Sequence, residues 1–276
     1  MFNYIINNNL FRLLRAGAFA EKESLEPMST FKWNRLLQIA EVQDVAEVVK
    51  AGLTRCKDDR CIDINNPVFS AFFERTDTHH TGISGGNINY GKVRLSNSYL
   101  NWRLKKILKE SANNEDVTKE SLQLLLMIVH NTNQTLNRGI TLKGIIELGL
   151  FLRNSGHKVN FVALESWLHK LGLVRMANLQ GTVLIEFLHF DNDEIPFMQR
   201  EEPTGRYLTQ KSLVHTAEDT AENWHFRMRT NGMVENNNRV LRRNLRRSMR
   251  YMRFNPFETT SNFFSSFARS LSEIEE

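Results

Sequence analysis

The stretch "TKESLQLLLMIVHNTNQTLN" (Thr118–Asn137) decides the fold. Ser121, Leu125, Ile128 and Val129 recur along it at the spacing of one helix face, and Thr118 stands where a hydroxyl can cap the first turn. Two segments of the same pattern follow. "TLKGIIELGLFLRNSG" (Thr141–Gly156) opens on Thr141 and stops at Gly156, and "NFVALESWLHKLG" (Asn160–Gly172) is capped by Asn160 and stopped by Gly172. "VRMANLQGTVLIEFLHF" (Val174–Phe190) reads as a further helix, although its β-branched middle leaves a strand open. Helix after helix joined by short turns is the signature of an all-α packed domain. Leu125, Ile128, Ile145, Leu148, Leu152, Leu164, Trp167 and Leu168 are expected to share its core.

Upstream, "NNLFRLLRAGAF" places Leu10, Leu13 and Leu14 on one helix face, with Gly17 suited to the helix end. "FKWNRLLQIAEVQDVAEVVKAGL", capped by Ser29 or Thr30, reads as one helix closed by Gly52. Residues 54–98 are polar and rich in Gly, Ser and Asn, the composition of a loop or boundary, with one short helix at Pro67–Glu74. The fold class is therefore mainly α: a helical bundle-like domain with an irregular Gly/Ser/Asn-rich segment and a basic C-terminal helix. The expected divisions are an N-terminal helical segment (1–53), the irregular segment (54–98), a helical core domain (99–238), and a basic amphipathic helix with its tail (239–276).

A chain of 276 residues with 41% hydrophobic content can build a substantial core, and its 24% charged content is that of a globular protein. The start of the chain resembles a signal peptide only superficially, because the Asn7–Asn9 run, Arg12 and Arg15 break the apolar stretch. Two cysteines, Cys56 and Cys61, are too few for a disulfide framework or a four-ligand zinc site, so free thiols and a cytoplasmic setting are expected. Gly82–Asn87, "GISGGN", lacks the Lys-Ser/Thr that completes a phosphate loop and reads as a surface loop. The adjacent His79 and His80 have no obvious third metal ligand. Asp191 and Asp193 could share Mg²⁺ if they stood on a strand, but they precede Ile195-Pro196, which suits a turn. His130 reads as a satisfied core histidine, and Glu147, one turn from Lys143, as half of a surface ion pair.

The net charge of +5 is concentrated in "RVLRRNLRRSMRYMRFNPFE" (Arg239–Glu258). Arg239, Arg242, Arg243, Arg246, Arg247, Arg250 and Arg253 fall within an arc of roughly 140° on a helix. Leu241, Leu245, Met249 and Met252 fill a separate arc of roughly 80°. The pattern predicts that the Leu/Met face docks on the core and the arginines face outward. Such a face is either solvated or paired within the protein, or it binds a polyanion such as nucleic acid. An anionic membrane surface is a rival partner, because Phe263, Phe264, Phe267 and Leu271 share one face of the adjoining tail, and a protein partner is a third.

The helical blocks resemble a known family, the uncharacterised bacterial nucleotidyltransferase-like proteins often found with polysaccharide gene clusters. The resemblance lies in "LFRLLRAGAF" with the Trp33 helix, and in the run from "LQLLLMIVHN" to "HFDNDEIPF", with "RFNPFE" similar to the family's closing Pro-x-Glu segment. It places His130 and Glu147 where the family keeps a His and an acid. Active members carry a Lys-Gly loop and an Arg-x-x-Gly-Asp-x-Asp strand between those blocks. Here the interval from Asn65 to Ser98 has no Lys-Gly, and Asp77 is its only aspartate. The resemblance thus implies the helical shell of a nucleotidyltransferase without its catalytic core: a binding or regulatory protein that needs no cofactor. The alternative is an active nucleotidyltransferase holding Mg²⁺ and nucleotide on divergent acids, with Asp191 and Asp193 the candidates.

Overall fold

In the computed structural model of the protein, residues 4–59, 62, 67–78, 93–111, 117–214, 226–228, 234–236 and 238–272 are described. The helices in chain order are α1 (Tyr4–Phe19), α2 (Thr30–Val42), α3 (Ala46–Arg55), α4 (Pro67–Thr78), α5 (Ser98–Ser111), α6 (Lys119–Arg138), α7 (Leu142–Ser155), α8 (Phe161–Leu171), α9 (Val174–Leu188) and α10 (Gly205–Val214). A two-stranded antiparallel ribbon, β1 (Phe226–Met228) and β2 (Val234–Asn236), pairs Phe226 with Asn236 and Met228 with Val234. Then come α11 (Asn238–Tyr251) and α12 (Pro256–Ser272). The fold is mainly α, as the pattern implies; the ribbon is an element the sequence does not announce. Among the described residues, no helix is long and apolar enough to cross a membrane.

Helices α6 and α8 begin where capping chemistry places them, whereas Thr141 makes no side-chain cap on α7. Thr118 Oγ1 accepts the Ser121 N–H at 3.2 Å, and Asn160 Oδ1 accepts that of Ala163 at 3.0 Å, so each answers a donor that the first turn leaves free. Gly172 ends α8 in the left-handed region at φ 64°. The β-branched centre of 174–190 is helical, as part of α9. All eight expected core residues are buried in one cluster that runs from Ile6 on α1 to Phe254 beyond α11. One polar group crosses this core with its hydrogen bonds answered. Asn131 Nδ2 donates to Gly144 O and to Gln180 Oε1, and Gln180 Nε2 donates to Ile128 O, which ties α6, α7 and α9 at one level.

Two N-terminal expectations change. The segment 31–53 is not one helix, because Asp44 takes a left-handed conformation (φ 55°) and splits it into α2 and α3. Gly17 and Gly52 end nothing: both lie inside helices, where a Cβ on Gly17 would overlap Val48 O and one on Gly52 would overlap Leu13 O. Their missing side chains let the backbones of α1 and α3 touch. The pair then docks on the remaining helices, partly through Arg15, whose Nη1 donates to Phe187 O at the end of α9 (2.8 Å).

At the other end of the chain, Glu258 of α12 is fully buried. Its Oε1 accepts the Ser96 N–H at 2.5 Å, and its Oε2 accepts that of Asn97 at 3.0 Å, at the N-terminus of α5. Asn262 extends the seam, its Nδ2 donating to Asn137 Oδ1 of α6 and its Oδ1 standing 3.2 Å from Ser96 Oγ.

Candidate anion-binding surface

The basic helix sits on the body by a face other than the one expected. Leu245, Met249 and Met252 are 44%, 64% and 41% exposed, so the Leu/Met stripe points to solvent. Tyr251 and Phe254 are buried instead, and Arg247 and Arg250 are partly covered. The cause is the larger apolar area of an aromatic ring together with its polar handle. The Tyr251 hydroxyl bonds to Ser212 and to the backbone at Ile140, and burial pushes the phenol above its ordinary value. Seating Tyr251 inward turns the Leu/Met stripe outward, since the two directions differ by about 120° on a helix.

Arg246 and Arg253 are exposed on the same outer side. Arg250 Nε donates to Arg246 O at 3.4 Å, while Arg253 donates to Thr204 Oγ1 and rests on the Phe254 ring. Among the described residues no carboxylate lies within ion-pair distance of Arg246, Arg250 or Arg253. The cationic row continues onto α10: the exposed Tyr207 phenol is held below its ordinary value by the hydrogen bond from Lys211 (2.8 Å), then by the charges of Lys211 and Arg250. Arg175 on α9 fixes the end of this surface. It clasps the buried Glu202 with two bonds of 2.9 Å, donates to Arg253 O at 2.5 Å and stacks on Phe254. The side chains of Arg239, Arg242 and Arg243 lie outside the described residues.

The other candidates fall elsewhere. His130 on α6 and Glu147 on α7 are both half-buried and both feel Lys143. Burial, then Lys143, lowers His130, while burial raises Glu147 against the opposing pull of Lys143. The expected Lys143–Glu147 surface ion pair does not form: no Lys143 nitrogen lies within ion-pair distance of the Glu147 carboxylate, and both residues are half-buried. Asp191 and Asp193 are exposed in a 3₁₀ turn (Asn192–Glu194), where Glu194 Oε2 accepts the Asp191 N–H at 3.0 Å and Glu194 also binds Arg153 at 2.9 Å. These acids stand on a turn, not a strand. Cys56 is a buried free thiol raised by burial and by the nearby Asp59 and Glu23 carboxylates. Cys61, His79, His80 and the Gly82–Asn87 loop lie outside the described residues.

One cluster escapes the sequence altogether. Glu21, Glu23 and His189 bring their ligand atoms within 4.8 Å of one another. Their charges are already answered: Arg15 Nε stands 2.5 Å from Glu23, Arg153 Nη1 stands 3.5 Å from Glu21, and His189 Nδ1 stands 3.2 Å from Glu21. Arg153 also packs over Phe19 and Phe190. The group is an ion-pair network that fastens the end of α1 to the end of α9. Sequence separations of up to 168 residues hide it from any local pattern.

Comparison of the chain with protein-family models, with curated proteins and with solved structures gives no match.

Proposed function

We propose that the chain is a non-catalytic binding protein whose C-terminal helices present arginine to a polyanion, built on the helical shell of a nucleotidyltransferase-like ancestor. The observation that carries this reading is the exposure of Arg246 and Arg253, beside Arg250 and Lys211, with no acid in ion-pair reach of the three arginines among the described residues. Like charges spaced three and four residues apart repel along a helix. Phosphate groups relieve that repulsion, and the planar guanidinium binds them through paired hydrogen bonds. The interval from Asn65 to Ser98 holds neither a Lys-Gly pair nor an Arg-x-x-Gly-Asp-x-Asp strand, which supports binding without transfer.

The test is the salt dependence of binding to heparin, duplex RNA and anionic vesicles. Affinity for a duplex should fall with a log–log slope of about −0.9 for each phosphate neutralised. Arg246→Gln with Arg250→Gln should flatten that slope by about 1.8 while leaving Tyr251 and Phe254, and so the fold, in place. No binding to any polyanion at low salt, or an unchanged slope in the variant, overturns the reading. A transferase arm runs alongside it: labelled nucleoside triphosphates should remain unincorporated. Incorporation lost in Asp191→Ala and Asp193→Ala would replace binding by nucleotidyl transfer.

A further inference from the structure

We infer that the polyanion is an anionic phospholipid bilayer, on which the outer faces of α11 and α12 lie in the headgroup plane. The inference rests on the anion-binding reading above and adds the apolar half of the surface. Eleven large hydrophobic side chains are exposed among the described residues, and five of them, Leu245, Met249, Met252, Phe257 and Phe264, fall within residues 245–264. Such a concentration on a soluble surface marks a contact site, whereas scattered single residues do not. Leu245 and Met249, one turn apart, form a stripe on α11 that Met252 extends in the turn just after it; Phe257 and Phe264, seven residues apart, form another on α12. Phe257 and Phe264 are the most exposed of this group on α12, at 71% and 61%.

The charge complements lipid rather than another copy of the chain. Residues 236–257 contain seven arginines and no acid, so two copies would set arginine against arginine. The first acid that follows, Glu258, is buried against Ser96 and Asn97 and subtracts nothing from the surface. Arg246 lies about 100° from Leu245 around α11, so its exposed guanidinium borders the apolar stripe. On a bilayer the arginines meet lipid phosphates while Leu, Met and Phe enter the acyl boundary. Nucleic acid would answer only the arginines and leave five apolar side chains in water.

The experiment uses the full chain with phosphatidylcholine vesicles, with vesicles containing phosphatidylglycerol, and with a short RNA duplex. Co-sedimentation is expected with phosphatidylglycerol and not with phosphatidylcholine alone. Leu245→Asn with Met249→Asn should weaken vesicle binding by at least about ten-fold, because each removes an apolar side chain from lipid, while duplex binding stays unchanged. Both residues are exposed in the free protein, so the fold is spared; Phe257→Asn provides the same reading from α12. Arg246→Gln with Arg250→Gln should weaken both, since each cation near an anionic surface tightens binding by about five-fold. Vesicle binding unaffected by the apolar variants, or duplex binding without vesicle binding, overturns the bilayer and leaves polyanion binding standing. Loss of neither ligand in the arginine variant overturns both.

Discussion

Glu258→Ala should loosen α12 from the body without unfolding the protein. In the intact chain the Glu258 carboxylate, fully buried, accepts the backbone N–H groups of Ser96 and Asn97 at 2.5 and 3.0 Å. Each is a hydrogen bond to a charged group, worth about 1.5–3 kcal/mol. Ser96 and Asn97 are themselves half-buried, so water can answer part of what the carboxylate leaves behind. The lower end of the range applies, and the loss should be about 3 kcal/mol. Glu258→Gln keeps one acceptor oxygen but turns an amide NH₂ toward the second N–H, so about 2 kcal/mol should go. Because α12 meets the body mainly along this seam, the loss should appear as local opening. Amide hydrogen exchange between Thr259 and Ser265 should accelerate by a hundred-fold or more in the alanine variant, as about 3 kcal/mol requires. Exchange around Leu125 and Leu164 should hold near its original rate. If α12 exchanges within a factor of about three of the parent in both variants, the carboxylate is not what holds the helix.

Other expectations follow from the core and its polar edge. Trp167→Ala should cost about 3–5 kcal/mol in urea unfolding, because the indole is buried in the shared cluster; a near-neutral effect would refute that packing. His130 should titrate below the ordinary histidine range by NMR, and Lys143→Met should move it upward. A lowered histidine contributes stability that is present above its ordinary pKa and lost as pH falls through the folded value. Glu147 has the opposite sign: its raised carboxyl stabilises below the ordinary carboxylate range, and that contribution is lost as pH rises through the folded value. Glu147→Gln should therefore gain stability relative to the parent at neutral pH, and equal or lower stability there would contradict the burial of the carboxyl.

What could be read in the chain beforehand was local. Thr118, Asn160 and Gly172 announce their helix ends because capping chemistry acts within three residues. Asp44 gave no comparable warning, since an aspartate in the left-handed region looks like any polar residue in a helical run. Gly17 and Gly52 carried a true signal with an ambiguous meaning: glycine marks a helix end or a close approach, and only the partner helix decides which. On α11 the apolar period marks a real stripe but not the docking face, because Tyr251 and Phe254 take the interior in its place. The arginines themselves could be read as a row, but their pairing could not, since it depends on which acids other helices bring near. The Glu21–His189 network needed the whole fold.

Arg175 gives the basic helix a mechanical character. The Tyr251 hydroxyl, the Arg253 carbonyl and the Phe254 ring are gripped within four residues, two of them by this one guanidinium. That makes the C-terminal end of α11 a fulcrum. A force on the Arg246 or Met249 side chain acts as a torque about it, and the load passes through Arg175 into α9 and, by way of Glu202, into the turn before α10. A load applied at the outer surface is thereby transmitted to the helix that contributes Gln180 to the centre of the core.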